Sequence, residues 1–239
     1  VSRTVPGVYA GTLFGFPLFI ESSALYLGPW VALILLTQGG GSDLIRAFLF
    51  LIIIIASVLV HELTHALTAR ALGVPVRHIA LTWFGGYAAF WVQPTRWKDA
   101  AIAFAGPASN LSLAALLYMA LANMPVQQTV WVDGSDLVVA ANAPNLLEHT
   151  LRTAAFLNVA LGAYNLLPGL PLDGGHILRA LLATRMPWGR AGWFAAWAGV
   201  VLGAAAVAYA IWIESFSLLF MGAFVTFSAW AARRALRYE

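Results

Sequence analysis

The sequence predicts an all-α polytopic membrane protein of about six transmembrane helices, with a short β-hairpin or strand element between the second and third spans. Three observations carry this. Hydrophobic residues make up 61% of the chain and charged residues only 10%, far from the balance of a soluble domain. Long apolar runs are cut by glycine, proline and asparagine at intervals that suit bilayer crossings. The basic residues also collect on alternate connections. With 239 residues, the chain is read as a single membrane domain over 1–239. A net charge of +3 without a basic cluster argues against nucleic-acid binding, and the absence of cysteine excludes disulfides and thiolate metal sites.

Residues 1–22 lack the basic, apolar and small-residue order of a signal peptide, and the alternation from Val8 to Phe14 suggests a short strand or interfacial segment. The first span is expected over 23–36, ending at Gly39-Gly40-Gly41-Ser42. Asp43 is a candidate N-cap for the second, 44–72, which Gly73 and Pro75 close. Over 77–92, Ile79, Leu81, Trp83 and Phe84 precede Gly85-Gly86, and Tyr87, Phe90, Trp91 and Val92 follow. Two β-prone runs around a double glycine read as a hairpin. The hairpin is either a membrane-surface loop with aromatic anchors or an edge strand that docks an extended substrate at Gly85 and Gly86. The third span, 97–122, stops at Asn123-Met124-Pro125. The fourth, 150–183, is broken at 168–171, and the last two cover 188–213 and 216–236.

With the N-terminus inside, Arg3, Arg70, Arg77, Arg96, Lys98, Arg179, Arg185, Arg190, Arg233, Arg234 and Arg237 are cytosolic, and only Arg46 and Arg152 lie outside. Eleven against two is a strong positive-inside bias and places both termini in the cytosol. The external loop 123–149 carries Asp133, Asp136 and Glu148 but no Lys or Arg.

Within the second span, the apolar run from Phe48 to Val60 ends at His61-Glu62-Leu63-Thr64-His65. On a helix this spacing sets two imidazoles on one face, one turn apart, where both reach one Zn²⁺ and Glu62 can act on a water beside it. His61 lies 17 residues past Leu44, roughly 25 Å along a helix. That depth is inside a hydrocarbon core about 30 Å thick, towards the cytosolic leaflet. Ionisable groups there are functional by default. Without thiolates, the third ligand comes from His78, His149, His176, Asp173 or a scattered carboxylate. Asp173 is favoured, because the run Asn165-Leu166-Leu167-Pro168-Gly169-Leu170-Pro171-Leu172-Asp173-Gly174-Gly175 breaks a span at the same depth. Such backbone survives in a bilayer only against protein or a wet cavity. His176 suits a surface or substrate-facing role, and His78 and His149 read as loop residues.

The HExxH helix, the later Asn-x-x-Pro-x-x-Pro-Leu-Asp-Gly segment and the intervening Gly106-Pro107-Ala108-Ser109-Asn110 resemble, in order and spacing, the site-2 protease family of intramembrane zinc metalloproteases. The resemblance covers most of the chain. It implies one Zn²⁺ per chain held by His61, His65 and Asp173, with Glu62 as general base. Asn110 and Asn165 would contact the substrate backbone or oxyanion, or Asn165 would brace the broken helix. The implied activity is cleavage of membrane-anchored, single-span proteins in a bacterial or archaeal cell membrane, as in anti-sigma factor release, from a site on the cytosolic side. The partners would be a transmembrane substrate and the lipid bilayer. Two departures stand out: Thr64 occupies a position where the family often has glycine, and the external loop is too short for an inserted PDZ domain, which points to the minimal-core type. The rival readings are a membrane metal transporter with an intramembrane His/Asp site, although few polar residues lie on the external half, and a proteolytically dead binding or adaptor protein that retains the fold, although binding metal alone does not require Glu62.

Overall fold

The computed structural model describes residues 7–26, 43–82, 85–124, 128–133, 136–141 and 145–235. Six α-helices lie among them: α1 (Asp43–Ala71), α2 (Arg96–Ala122), α3 (Leu146–Asn165), α4 (Asp173–Leu182), α5 (Trp188–Trp212) and α6 (Phe216–Ala235). Three are long and apolar enough to cross a membrane, at Leu44–Ala71, Arg96–Ala122 and Trp188–Trp212. Their large apolar residues face outwards, with Phe48, Ile52, Leu116, Met119 and Val201 exposed. A surface of that kind belongs in lipid. Of the expected first span only 23–26 is described, within a 3₁₀ turn at Ser22–Tyr26, and the remainder and its glycine run lie outside the described residues. The side chain of Asp43, the expected cap, does so too.

The all-α expectation is corrected by a four-stranded mixed sheet. Strands β1 (Val8–Leu13), β2 (Phe16–Ile20), β3 (Val76–Thr82) and β4 (Gly85–Phe90) lie in that order. The outer pairs are antiparallel, and β2 runs parallel to β3 through Leu18, Phe19 and Ile20 opposite Ile79, Ala80 and Leu81. The double glycine is not the hairpin's reversal, since Thr82 pairs with Gly85 and both glycines belong to β4. The connection over 123–149 likewise holds a hairpin, β5 (Gln128–Asp133) against β6 (Asp136–Ala141).

One face of the sheet packs on α1, where buried Ile79 and Phe16 meet Ala66, flanked by Leu63, Leu67 and Ala88. Arg70, in the last turn of α1, donates to the Phe14 carbonyl at 2.9 Å and lies 4.7 Å above the Phe16 ring. Its cation serves the helix C-terminus while anchoring the β1–β2 turn. Lys98 at the start of α2 donates to the Leu72 carbonyl at 2.6 Å, which satisfies an acceptor that α1 leaves open.

The expected break in the fourth span separates α3 from α4 at residues 166–172. Its backbone groups are satisfied within the protein: Leu170 N–H donates to Ala195 O of α5 at 3.0 Å, Leu166 N–H to Gly162 O, and Leu172 N–H to Gly169 O. Paired in this way, an irregular segment can persist at membrane depth.

Candidate active site

Two helical turns of α1 set the site. His61 and His65 are four residues apart on one face, their rings 4.6 Å apart and nearly perpendicular. Both are buried. Asp173 opens α4 opposite them, with Oδ2 at 3.1 Å from His61 Nε2 and 3.3 Å from His65 Nε2. Among the described residues this trio is the His/Cys/Asp/Glu group able to hold a metal ion, its ligand atoms lying within 4.8 Å of one another.

Each imidazole has its other nitrogen fixed. His65 Nδ1 lies 2.6 Å from the Ile102 carbonyl. A carbonyl can only accept, so Nδ1 carries a proton and Nε2 is the nitrogen turned to Asp173. For His61 the same logic runs through a chain of amides. Asn158 Nδ2 donates to the Ala154 carbonyl at 2.8 Å and to Ser57 Oγ at 2.9 Å. Its Oδ1 therefore faces Asn110 and accepts from Nδ2 at 2.7 Å. Asn110 Nδ2 also reaches the Ser57 carbonyl at 3.3 Å, which leaves Asn110 Oδ1 to accept from His61 Nδ1 at 2.5 Å. Backbone carbonyls thus fix both Nδ1 atoms as donors, which leaves the two Nε2 atoms, facing the Asp173 carboxylate, to bind a metal in place of a proton. Fixing an imidazole through its far nitrogen is how metal-binding histidines are held.

The donor set suits zinc, with two neutral imidazoles and one carboxylate. The space in front of them is kept open by Gly106, where a Cβ would fall 2.7 Å from His61 Nε2 and closer still to His65. Glycine is required at this position for close approach rather than for flexibility.

Glu62 is buried between the imidazoles and the sheet. The backbone of Ala88 in β4 lies near its carboxylate. A Cβ at Gly86 would lie 2.6 Å from Glu62 Cγ and 3.0 Å from Ala80 O. Gly86 therefore seats the strand against the carboxylate. Thr64 donates to Val60 O at 2.7 Å, within its own helix.

The remaining candidates fall elsewhere. Asn110 is fully buried behind His61 with both ends of its amide engaged. Asn165 donates to Leu161 O at 3.1 Å, bracing the last turn before the break. His176 Nδ1 lies 3.2 Å from Asp99. His78 is not a loop residue: it is buried in β3, its ring between those of Phe19 and Tyr87. Burial and the neighbouring Arg77 hold its pKa below the usual histidine range. His149 sits in the first turn of α3.

Sequence reasoning missed Ser57, Asn158 and Asp99. Ser57 carried a usable signal, lying one turn before His61 on the same face of the helix. Asn158 had only its polarity within a span.

A family model described as Peptidase family M50 matches residues 49–206. Among similar proteins, the candidate zinc metalloprotease sll0528 of Synechocystis sp. is 30% identical over 95% of this chain and 60% of its own length. The candidate zinc metalloprotease Rip3 of Mycobacterium tuberculosis is 37% identical over 79% of this chain and 45% of its own. The chain thus spans roughly half of these relatives. A solved structure described as a site-2 protease from Methanocaldococcus jannaschii has the same fold, with a TM-score of 0.69 and 95% of each chain covered at 22% identity.

Proposed function

The chain belongs to peptidase family M50, and from that premise we propose that it is an intramembrane zinc endopeptidase of the site-2 type, acting on membrane-anchored, single-span proteins. The observation that carries the reading is the convergence of two Nε2 atoms, on rings held through Nδ1, with one carboxylate, beside a buried glutamate.

His61, His65 and Asp173 would hold one Zn²⁺ per chain. When bound, zinc supplies a Lewis acid that polarises the scissile carbonyl and makes water more acidic. Glu62 takes the proton from the attacking water and delivers it to the leaving amide nitrogen. Asn110 and Asn158 keep His61 turned towards the metal. A contact between Asn110 and the oxyanion would require its amide to leave Asn158 and Ser57, so orientation of His61 is the role the geometry supports. Asn165 acts at the break.

Strand β4 is an edge of the sheet and lies against Glu62 through Gly86. An extended segment adding beside β4, along Gly85 and Gly86, would bring its peptide groups past that carboxylate. A substrate helix must unwind to do this, since its carbonyls are otherwise bonded internally. The charge bias supports six crossings, cytosolic termini and a site towards the cytosolic leaflet. Release of a membrane-held regulator such as an anti-sigma factor fits such a site.

The test compares wild type with Glu62→Gln on a labelled single-span substrate, with zinc content measured in parallel. Cleavage should fall by about 10²–10⁴-fold while zinc stays bound. Undiminished cleavage would refute the base role, and zinc uptake into liposomes without proteolysis would favour a transporter.

A further inference from the structure

One stripe of α2 holds more of the site than its two contacts with the imidazoles. Asp99, Ile102, Gly106 and Asn110 recur at i, i+3, i+7 and i+11, the spacing of a single helix face. Ile102 orients His65, Asn110 orients His61, and Gly106 keeps the space between them open. Asp99 touches neither histidine. Its buried carboxylate receives Arg179 Nη2 at 2.7 Å and lies 3.2 and 3.3 Å from His176 Nδ1. Since a carboxylate only accepts, His176 donates through Nδ1. The Arg179 guanidinium also stacks 4.4 Å over the Trp188 ring at the start of α5.

His176 and Arg179 both belong to α4, one and two turns after Asp173. That helix is only ten residues long, and the seven residues before it are irregular. At its start, Gly174 and Gly175 pack α4 closely on the backbone of Leu166, Leu167, Gly169 and Leu170, and the contacts with Asp99 hold the helix by direction further along. A helix turned by one residue moves its side chains through about 100°, which would carry the Asp173 carboxylate away from both imidazoles. We propose that Asp99 is the positioning residue for the third metal ligand: paired with Arg179 and His176, it locks the rotation of α4 so that Asp173 faces His61 and His65. On this account α2 serves as a common ruler for all three ligands. The planar guanidinium suits the role because its stacking on Trp188 sets its direction while Nη2 bonds Asp99.

The inference rests on Asp173 being a zinc ligand, and the experiment separates the two claims. Zinc affinity is measured by chelator competition on purified full-length chains, and the visible spectrum of the Co²⁺-substituted protein reports the ligand geometry. Asp173→Ala tests the ligand. Asp99→Asn and Arg179→Met test the clamp, Asp99→Glu tests rescue, and Gly203→Leu on the distant α5–α6 contact is the control for general destabilisation. The clamp predicts zinc affinity ten- to a hundredfold weaker in Asp99→Asn and Arg179→Met, an altered cobalt spectrum in both, partial recovery in Asp99→Glu, and neither change in folded Gly203→Leu. Should Asp99→Asn not fold, Arg179→Lys, which keeps the charge and loses the planar guanidinium stacked on Trp188, is read in the same way. Wild-type affinity and spectrum in the clamp variants, with a loss in Asp173→Ala, would overturn the clamp alone. An equal loss in Gly203→Leu would overturn it too. Wild-type metal binding in Asp173→Ala would overturn the ligand assignment beneath it.

Discussion

Helices α1 to α4 and the pair α5–α6 pack by different means. In the first group, buried polar atoms of Ser57, Asn110 and Asn158 are joined end to end and terminate on backbone carbonyls. In the pair, the contacts are steric. A Cβ on Gly203 would come 2.7 Å from Thr226 N, and one on Gly222 would come 2.8 Å from Val207 N. Close approach through small residues is the usual way membrane helices associate where lipid removes the hydrophobic driving force. The contrast separates two kinds of specification. Hydrogen bonds dictate which way a side chain points, and a metal site needs direction. Small residues dictate only how near two helices come, which suffices for a scaffold. Damage to the first group should therefore appear in metal binding before stability, and damage to the pair in stability alone.

The largest expected effect comes from Gly106→Ala. The new methyl enters the space before both Nε2 atoms, so zinc binding should be lost. Proteolysis should fall by at least about 10²-fold, the loss expected of a misplacement of about 1 Å. Metal analysis and cleavage assays on the folded variant check this, and normal zinc content would show that the space is not where the metal sits.

Next is Asn158→Leu, which removes the amide that fixes Asn110 and leaves its partners short of a hydrogen bond. Zinc affinity should weaken ten- to a hundredfold, with about 1–3 kcal/mol lost in stability. Chelator competition and unfolding measured on one sample would show both.

For the pair, Gly203→Leu should cost about 1–3 kcal/mol through overpacking, yet zinc per folded chain should stay at the wild-type level. A selective loss of zinc there would erase the distinction between the two regions.

The smallest effect lies on the sheet. Tyr87 donates to Glu21 Oε1 at 2.7 Å, and burial together with that carboxylate pushes its pKa up to about 12. The folded chain thus holds this proton more tightly than an unfolded one. The bond contributes fully below the ordinary phenol range near 10 and is lost as pH rises through about 12. Tyr87→Phe should cost within about 1 kcal/mol, since the group is partly exposed, and should remove one tyrosine from the high-pH end of an absorbance titration.

Much of the scaffold was legible because apolar runs advertise themselves by length and end at residues that stop helices. The spans expected at 44–72, 97–122, 188–213 and 216–236 correspond to α1, α2, α5 and α6. The break at 168–171 announced itself through two prolines and a glycine. The HExxH spacing and the Asp173 neighbourhood brought out the three residues that the fold draws together. The four-stranded sheet was not legible, because β2 pairs in parallel with a strand more than fifty residues away, and such pairing leaves no local trace. The β5–β6 hairpin did leave one, in Asp133-Gly134-Ser135-Asp136 between two β-prone runs, but acidic residues in a loop drew the eye to charge instead. Gly86 was noticed for the wrong reason, as a turn residue, since close approach to Glu62 from another element cannot be seen along one strand. Asn158 and Asn165 sit seven residues apart on one helix, and only the neighbours supplied by α1 and α2 tell them apart. Arg179 reads in the sequence only as a topology charge, and its partner Asp99, eighty residues away, carries no local signal of the pairing.

X-ray diffraction at the zinc absorption edge, on crystals of the zinc-loaded protein, tests the central claim most directly. Rings pinned through Nδ1 predict a single metal peak bonded to Nε2 of His61, Nε2 of His65 and the Asp173 carboxylate at about 2.0–2.2 Å, with both Nδ1 atoms still on Asn110 and Ile102. Metal bound through either Nδ1, or bound without Asp173, would contradict it.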